Sequence, residues 1–331
     1  VQLCELLTRL SQLQVTPHQQ WLQEVLETLR PRLQDLSTAQ LSSTLQVLGG
    51  WGFMPEEPFM QALNAAVKQQ LGSMTMRHIA DIAWGLAMLQ NPKQPLLDEL
   101  LQAALELMEG GECSASSILT QQRAALQQAY TQQQQESCPV AMQQGQELQQ
   151  TCCPASLADL VWSVAKLQCN PGREWLDTFA ATSLPLLSSF TPNQLAQVIW
   201  AFARLPYQPG QPWVDSFLLV VRDRLGDFDS KSVSLTAWGL ATMKAQPSAR
   251  WLFAFERQAE RTLSTLAASE LVCTLWALSE LKEKRADKLR LGRLVRRQEG
   301  EQGWRQEECT LHSLDCVVDD PCDRRWIFLC L

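Results

Sequence analysis

"LAQVIWAFARLPYQPGQPWVDSF", residues 195–217, carries two tryptophans thirteen positions apart with a proline-rich break between them. "VSLTAWGLATMKAQPSARWLFAF", residues 233–255, repeats the arrangement with Trp238 and Trp251. Trp162, Trp200, Trp238 and Trp276 follow one another at intervals of 38 residues. Stepping back from Trp84 by the same interval reaches Gln46 and then Thr8, while Trp84 and Trp162 stand 78 apart, one period plus 40. A period of this length is the mark of a repeat architecture.

Positions that did not define the frame test it. Five before the anchor stand Leu3, Leu41, Ile79, Leu157, Leu195, Val233 and Leu271; two after it stand Leu10, Leu48, Leu86, Val164, Phe202, Leu240 and Leu278. All are apolar, and with the positions two before and five after the anchor they trace one face of an α-helix, helix A. Three after the anchor the residue is small: Gly49, Ala87, Ala165, Ala203, Ala241 and Ser279. Ser37 with Gln40, and Thr191 with Pro192, read as starts of A helices.

A break follows. Nine after the anchor come Pro17, Pro55, Pro171, Pro209 and Pro247, with Pro92 one place early. Proline suits the first turn of a new helix. Thr16 to Gln19, Asn170-Pro171 and Asn91-Pro92 read as caps around such prolines. Thirteen after the anchor come Trp21, Phe59, Leu97, Trp175, Trp213, Trp251 and Leu289, heading a second amphipathic helix, B. One tryptophan of each pair is thus a knob of helix A and the other a knob of helix B. A single helical hairpin cannot bury its own apolar face, but stacked hairpins can. The expected fold is all-α, an α-α superhelix (solenoid) of 38-residue two-helix repeats. The tryptophans are expected to be core, not platforms for stacking bases.

Residues 1–109 hold repeats one to three and 154–292 repeats four to seven. Between them, 110–153 is glutamine-rich, with 13 glutamines among the 30 residues 121–150, so it is read as a disordered insertion with a transient helix near Ile118 to Tyr130. Lys282 to Arg297 carries eight basic and two acidic residues and reads as a solvated terminal helix; 293–331 reads as an irregular cysteine-containing tail. Cys309, Cys316, Cys322 and Cys330 lie there near His312, without the tight pairs a zinc site wants. The opening Val1 already lies within the repeat frame, so the chain is read as an internal fragment. No apolar run is long enough to span a membrane. No Gly-rich phosphate loop, GxSxG or HExxH occurs; the chain is read as no enzyme, with no cofactor and no metal.

The 38-residue helical pair, with "LADLVWSVAKLQCNPGREWLDTF" (157–179) and the proline-to-tryptophan stretches Pro171 to Trp175, Pro209 to Trp213 and Pro247 to Trp251, resembles the octotricopeptide repeat proteins of green algae. The resemblance covers about residues 1–290 apart from the insertion, is sharpest in repeats four to six, and matches no terminal RAP domain in 291–331. It implies an organellar RNA-binding protein, of the chloroplast or alternatively the mitochondrion, acting in transcript stability, processing or translation. Its partner would be single-stranded RNA, with protein partners in a ribonucleoprotein. Helical-repeat readers of this kind give about one base to each repeat.

Readers should lie on a polar stripe of helix A. The stripe taken here runs six before, three before, one after and four after the anchor. It nominates Asp81, Asp159, Ser163, Lys166, Gln197 and Arg204, with Lys166 and Arg204 placed to hold phosphate. The net charge of −7 weighs against strong RNA affinity, which depends on neutralised phosphates. A solenoid scaffold binding protein partners is the alternative, separable by the charge along the exposed face of the A row.

Overall fold

The computed structural model describes residues 2–89, 95–110 and 153–282. Among them there are thirteen α-helices and no strand. The A helices are α1 (Gln2–Gln12), α3 (Thr38–Trp51), α5 (Met76–Met88), α7 (Pro154–Lys166), α9 (Pro192–Arg204), α11 (Ser230–Thr242) and α13 (268–282). The B helices are α2 (Gln19–Leu29), α4 (Glu57–Gln70), α6 (Pro95–Gly110), α8 (Arg173–Ser183), α10 (Gln211–Asp223) and α12 (Ala249–Thr262). Pro92, the glutamine-rich insertion, the basic segment beyond Lys282 and the cysteine-containing tail lie outside the described residues.

From α1 to α11 each A helix packs on the next, the Ser234 hydroxyl of α11 donates to the Glu270 carbonyl of α13 at 3.2 Å, and the row passes straight from α5 to α7 although residues 111–152 intervene in the chain. α6 packs on α8 across the same junction. The chain is therefore a solenoid of stacked two-helix repeats. The expected core stripe is in place, with Leu41, Ile79, Leu157, Leu195, Val233, Leu48, Leu86, Val164, Phe202 and Leu240 all inaccessible to solvent.

Small side chains let the A helices touch at the backbone. A Cβ added to Gly85 would lie 2.5 Å from the Leu45 carbonyl oxygen, and one added to Gly239 would lie 3.0 Å from that of Ile199. Both glycines stand one after the anchor, and both carbonyls belong to the residue one before the anchor of the preceding repeat. Repacking around a larger residue there would mean moving whole helices, which a close-packed interior resists.

The second tryptophan holds the B row together. Trp175, Trp213 and Trp251 are buried, and each stacks on the phenylalanine one turn later, Phe179, Phe217 and Phe255. Each also donates its indole N–H to the preceding B helix or its end: to the Leu101 carbonyl at 3.1 Å, the Ser183 hydroxyl at 3.1 Å and the Leu218 carbonyl at 2.8 Å. A second latch recurs at the far end of helix B. The carbonyl just before an A-helix N-cap accepts a long side chain from the following repeat. Leu36 takes Gln70 at 2.7 Å, Phe228 takes Gln258 at 2.9 Å, and Phe190 takes Arg224.

Both A-helix starts read from the sequence are capping boxes, Ser37 with Gln40 and Thr191 with Gln194. The prolines are displaced from their expected place. Pro17, Pro55, Pro171, Pro209 and Pro247 each stand one residue before the N-cap, outside the helix; the N-caps are His18, Glu56, Gly172, Gly210 and Ser248. There the ring keeps the preceding residue extended and turns the chain before helix B begins. Asn170 accepts from the Gly172 N–H at 3.1 Å, an Asx turn and not a helix cap.

Five of the A helices, α1, α3, α7, α9 and α11, end alike. Six after the anchor the backbone turns left-handed at Gln14, Gly52, Gln168, Pro206 and Lys244. The next N–H reaches back to the carbonyl two after the anchor, as from Tyr207 to Phe202 at 3.0 Å. This is a Schellman closure. Proline is the wrong residue for it: its ring prefers φ near −65°, whereas Pro206 sits at φ 25, and it lacks the N–H that Gln168 and Lys244 donate three residues back. Pro206→Gly is expected to stabilise the chain by about 1 kcal/mol after the extra freedom of the unfolded glycine is counted. An unchanged or lower urea midpoint would show that the ring is accommodated without strain.

Candidate nucleic-acid interface

In repeats three to six the more exposed side chains of each A helix gather on one flank, although Asp81, Trp200, Leu235 and Trp238 on it are buried. It runs through the positions seven before, three before, at, and four after the anchor. In repeat three these are Arg77, Asp81, Trp84 and Met88; in repeat four Ala155, Asp159, Trp162 and Lys166. In repeat five they are Asn193, Gln197, Trp200 and Arg204; in repeat six Lys231, Leu235, Trp238 and Thr242.

The stripe read from the sequence was therefore rotated. Asp81, Asp159, Gln197, Lys166 and Arg204 do lie along this flank. Ser163 does not. It is fully buried in the contact between A helices, and its hydroxyl donates to the Asp159 carbonyl at 2.5 Å, which leaves it no surface to present. Gly85, Ala201 and Gly239 share its position and its burial. Their smallness makes room for a neighbouring helix, not for a ligand. Ser156 and Ser232, six before the anchor, are buried too.

The anchor tryptophans take the place that Ser163 vacates. Trp162 and Trp200 stand with ring centroids 6.4 Å apart, and Trp200 and Trp238 6.5 Å apart, tilted by 33° and 39°. They form a ladder along the row, with their outer edges toward the flank. Trp84, Trp162 and Trp276 remain half-buried; Trp200 and Trp238 are 8% and 9% exposed. The expectation that these rings are internal core thus holds only in part. The indole N–H of Trp200 is buried without a hydrogen-bond partner.

Charge is distributed unevenly along the flank. The Lys166 ammonium lies 5.1 Å from the Trp162 ring centroid, a cation–π contact. Burial lowers the Lys166 pKa, and the nearby Lys231 charge adds to the effect. At the other edge Asp81, 8% exposed, accepts from Arg77 Nε at 3.0 Å and from Gln46 Nε2 at 3.1 Å. Gln46 occupies the anchor slot of repeat two, so this bond joins adjacent repeats.

Asp159 lies beside this cluster. Burial pushes its carboxyl up to about 6, Arg77 opposes the shift, and the Asp81 charge adds to it. A carboxyl raised above its unfolded value is ionised at a cost in the folded state. The penalty is full above pH 6 and disappears as pH falls toward the unfolded value near 4. Asp159→Asn is accordingly expected to raise stability near neutral pH by about 1 kcal/mol, after allowance for solvent screening at this half-buried position. The gain should vanish near about pH 4. Thermal melts of both proteins at the two pH values measure it, and equal melting temperatures near neutrality would contradict it.

Among the described residues no helix is long and apolar enough to cross a membrane, and no group of three His, Cys, Asp or Glu side chains gathers as for a metal. Stacked hairpins with a flank of tryptophans, cations and carboxylates define a helical-repeat solenoid. The chain belongs to the family described as the Tbc2 translation factor, N-terminal domain, which matches residues 107–311 and so takes in repeats four to seven. No curated protein matches the chain.

Proposed function

We propose that the chain binds single-stranded RNA along this flank of its A row. In this reading it is an octotricopeptide-type protein of the chloroplast, or alternatively the mitochondrion, acting in the stability, processing or translation of particular transcripts. Membership of a family named for a translation factor carries the proposal. Three features of the flank support it: Lys166 and Arg204 recur at one register on adjacent repeats, the tryptophan ladder lies between them and the carboxylate edge, and Asp159 and Gln197 occupy the same register beside it. Cations hold phosphates wherever they occur, whereas side chains three before the anchor meet base edges and vary between repeats, as a reader must.

The test is binding of a randomised single-stranded RNA pool to the purified chain over a salt series. Salt-sensitive binding with enrichment of particular sequences is expected. No binding even at low salt would favour a protein scaffold. That second reading has an observation of its own. Val272 and Leu275 on α13 are 61% and 58% exposed, although the same two positions are buried beneath the next A helix in each earlier repeat. This bare face is suited to a further helix.

A further inference from the structure

A pocket of about 340 Å³ opens beside the ladder where repeats five and six meet. Behind it, with Ala203 and Met243, stand three aromatic side chains of which only a small part reaches the opening: Tyr207 and Trp238 are 8% and 9% exposed and Phe202 lies beneath them. Phe202 and Tyr207 meet edge to face at 5.0 Å, and the Tyr207 hydroxyl donates to Asp177 at 2.7 Å, so this wall is fixed from behind. The rim is polar and carries one cation, with Arg204 and Thr242 on the flank side and Gln208 from the turn at 206–208. Pro206, in its strained left-handed turn, forms part of the lining. Strain held by the surrounding structure gathers at ligand sites. The volume lies at the small end of the range for ligand pockets. It suits one flat heteroaromatic ring with a little of what it is attached to.

We infer that this pocket takes a single nucleobase turned out of the strand, held against Trp238 and Tyr207, with Arg204 at its phosphate or its acceptor edge. The inference rests on the RNA reading of the flank, because Trp238, Arg204 and Thr242 belong to both. A strand following the ladder passes the pocket mouth, which makes its occupant a base of that strand. The equivalent place one repeat earlier has Val164 and Cys169 where this one has Phe202 and Tyr207, so the aromatic box is particular to this junction.

Two substitutions of an exposed rim residue that lies off the flank fill the pocket, Gln208→Trp and Gln208→Phe, and thermal melts confirm that each chain is folded. The probe is a fluorescently labelled RNA selected from the randomised pool, with each nucleotide in turn made abasic. For the unsubstituted chain, one abasic position is expected to weaken binding by about tenfold or more. Both filled variants should lose the penalty at that position and keep those elsewhere. Unchanged penalties in both variants would overturn the pocket while leaving RNA binding on the flank intact. Absence of RNA binding by the unsubstituted chain would remove the reading beneath it. Competition by AMP, GMP, CMP and UMP separates the sources. If one of them binds saturably, is lost in both filled variants and leaves the abasic penalties unchanged, the pocket serves a free nucleotide and the inference about the strand is overturned.

Discussion

Trp175→Ala is expected to lower stability by about 3–5 kcal/mol and to divide unfolding into two transitions. Trp175 is 3% exposed, lies flat against Phe179 at 5.5 Å, and donates to Leu101 across the boundary between repeats three and four. Other described junctions are tied by a short 3-10 segment running from helix B toward the next helix A, such as Leu184–Ser189. This one is not: α6 ends at Gly110 and α7 begins at Pro154. The two halves are joined there by the packing of α5 on α7 and of α6 on α8. Stability in such arrays is a sum of repeat and neighbour-interface terms, so weakening one interface uncouples the blocks on either side. Trp175→Phe keeps the ring stacking and should lose only about 1 kcal/mol with the missing hydrogen bond, leaving one transition. Urea unfolding followed by circular dichroism distinguishes the two. A loss below about 1 kcal/mol for the alanine variant would mean that the junction is held elsewhere.

The period made most of this fold legible. Apolar columns at fixed offsets, repeated over seven frames, define both helices, and the capping boxes at Ser37 and Thr191 mark where A helices start. The faces were harder to read. Positions at and one after the anchor lie only about 100° apart on a helix, and hydrophobicity alone assigns the tryptophan inward and its small neighbour outward. The structure buries the small neighbour completely and leaves Trp84, Trp162 and Trp276 half-buried, because a column that is small in several repeats marks backbone approach between helices. Gly85, Ser163, Ala201 and Gly239, taken with the small column three after the anchor, held that signal. Arg77 and Lys231 were missed because the stripe was begun one residue too late. The proline register was misread because a proline just before the N-cap and one just inside the helix differ by only a residue or two in sequence. Nothing in the sequence pattern disclosed the bond from Gln46 to Asp81 or the strained turn at Pro206, since both depend on contacts between repeats or on backbone angles.

Changing Lys166 and Arg204 together to glutamine is expected to weaken RNA binding by about tenfold for each cation that holds a phosphate. Because phosphates carry no sequence information, the loss should fall equally on all members of a randomised pool. The salt slope should shrink by about 0.7 for each contact removed from a single strand. Both side chains lie half-exposed on the flank, and glutamine preserves most of their length, so the melting temperature serves as the control for folding. Exchanging the side chains of Asp159 and Gln197 between their two repeats is the complementary change. It keeps the net charge, so the salt slope should hold, while the sequences that bind best should shift at the nucleotides facing repeats four and five. A change in salt slope on the exchange would show that the Asp159 charge acts on nearby phosphate contacts and would overturn its assignment as a base reader. Silence of both pairs, in a chain that still binds RNA, would place the strand on another face. The carboxylate edge and the cation edge of this flank are then separable by experiment, because one should move specificity without salt dependence and the other salt dependence without specificity.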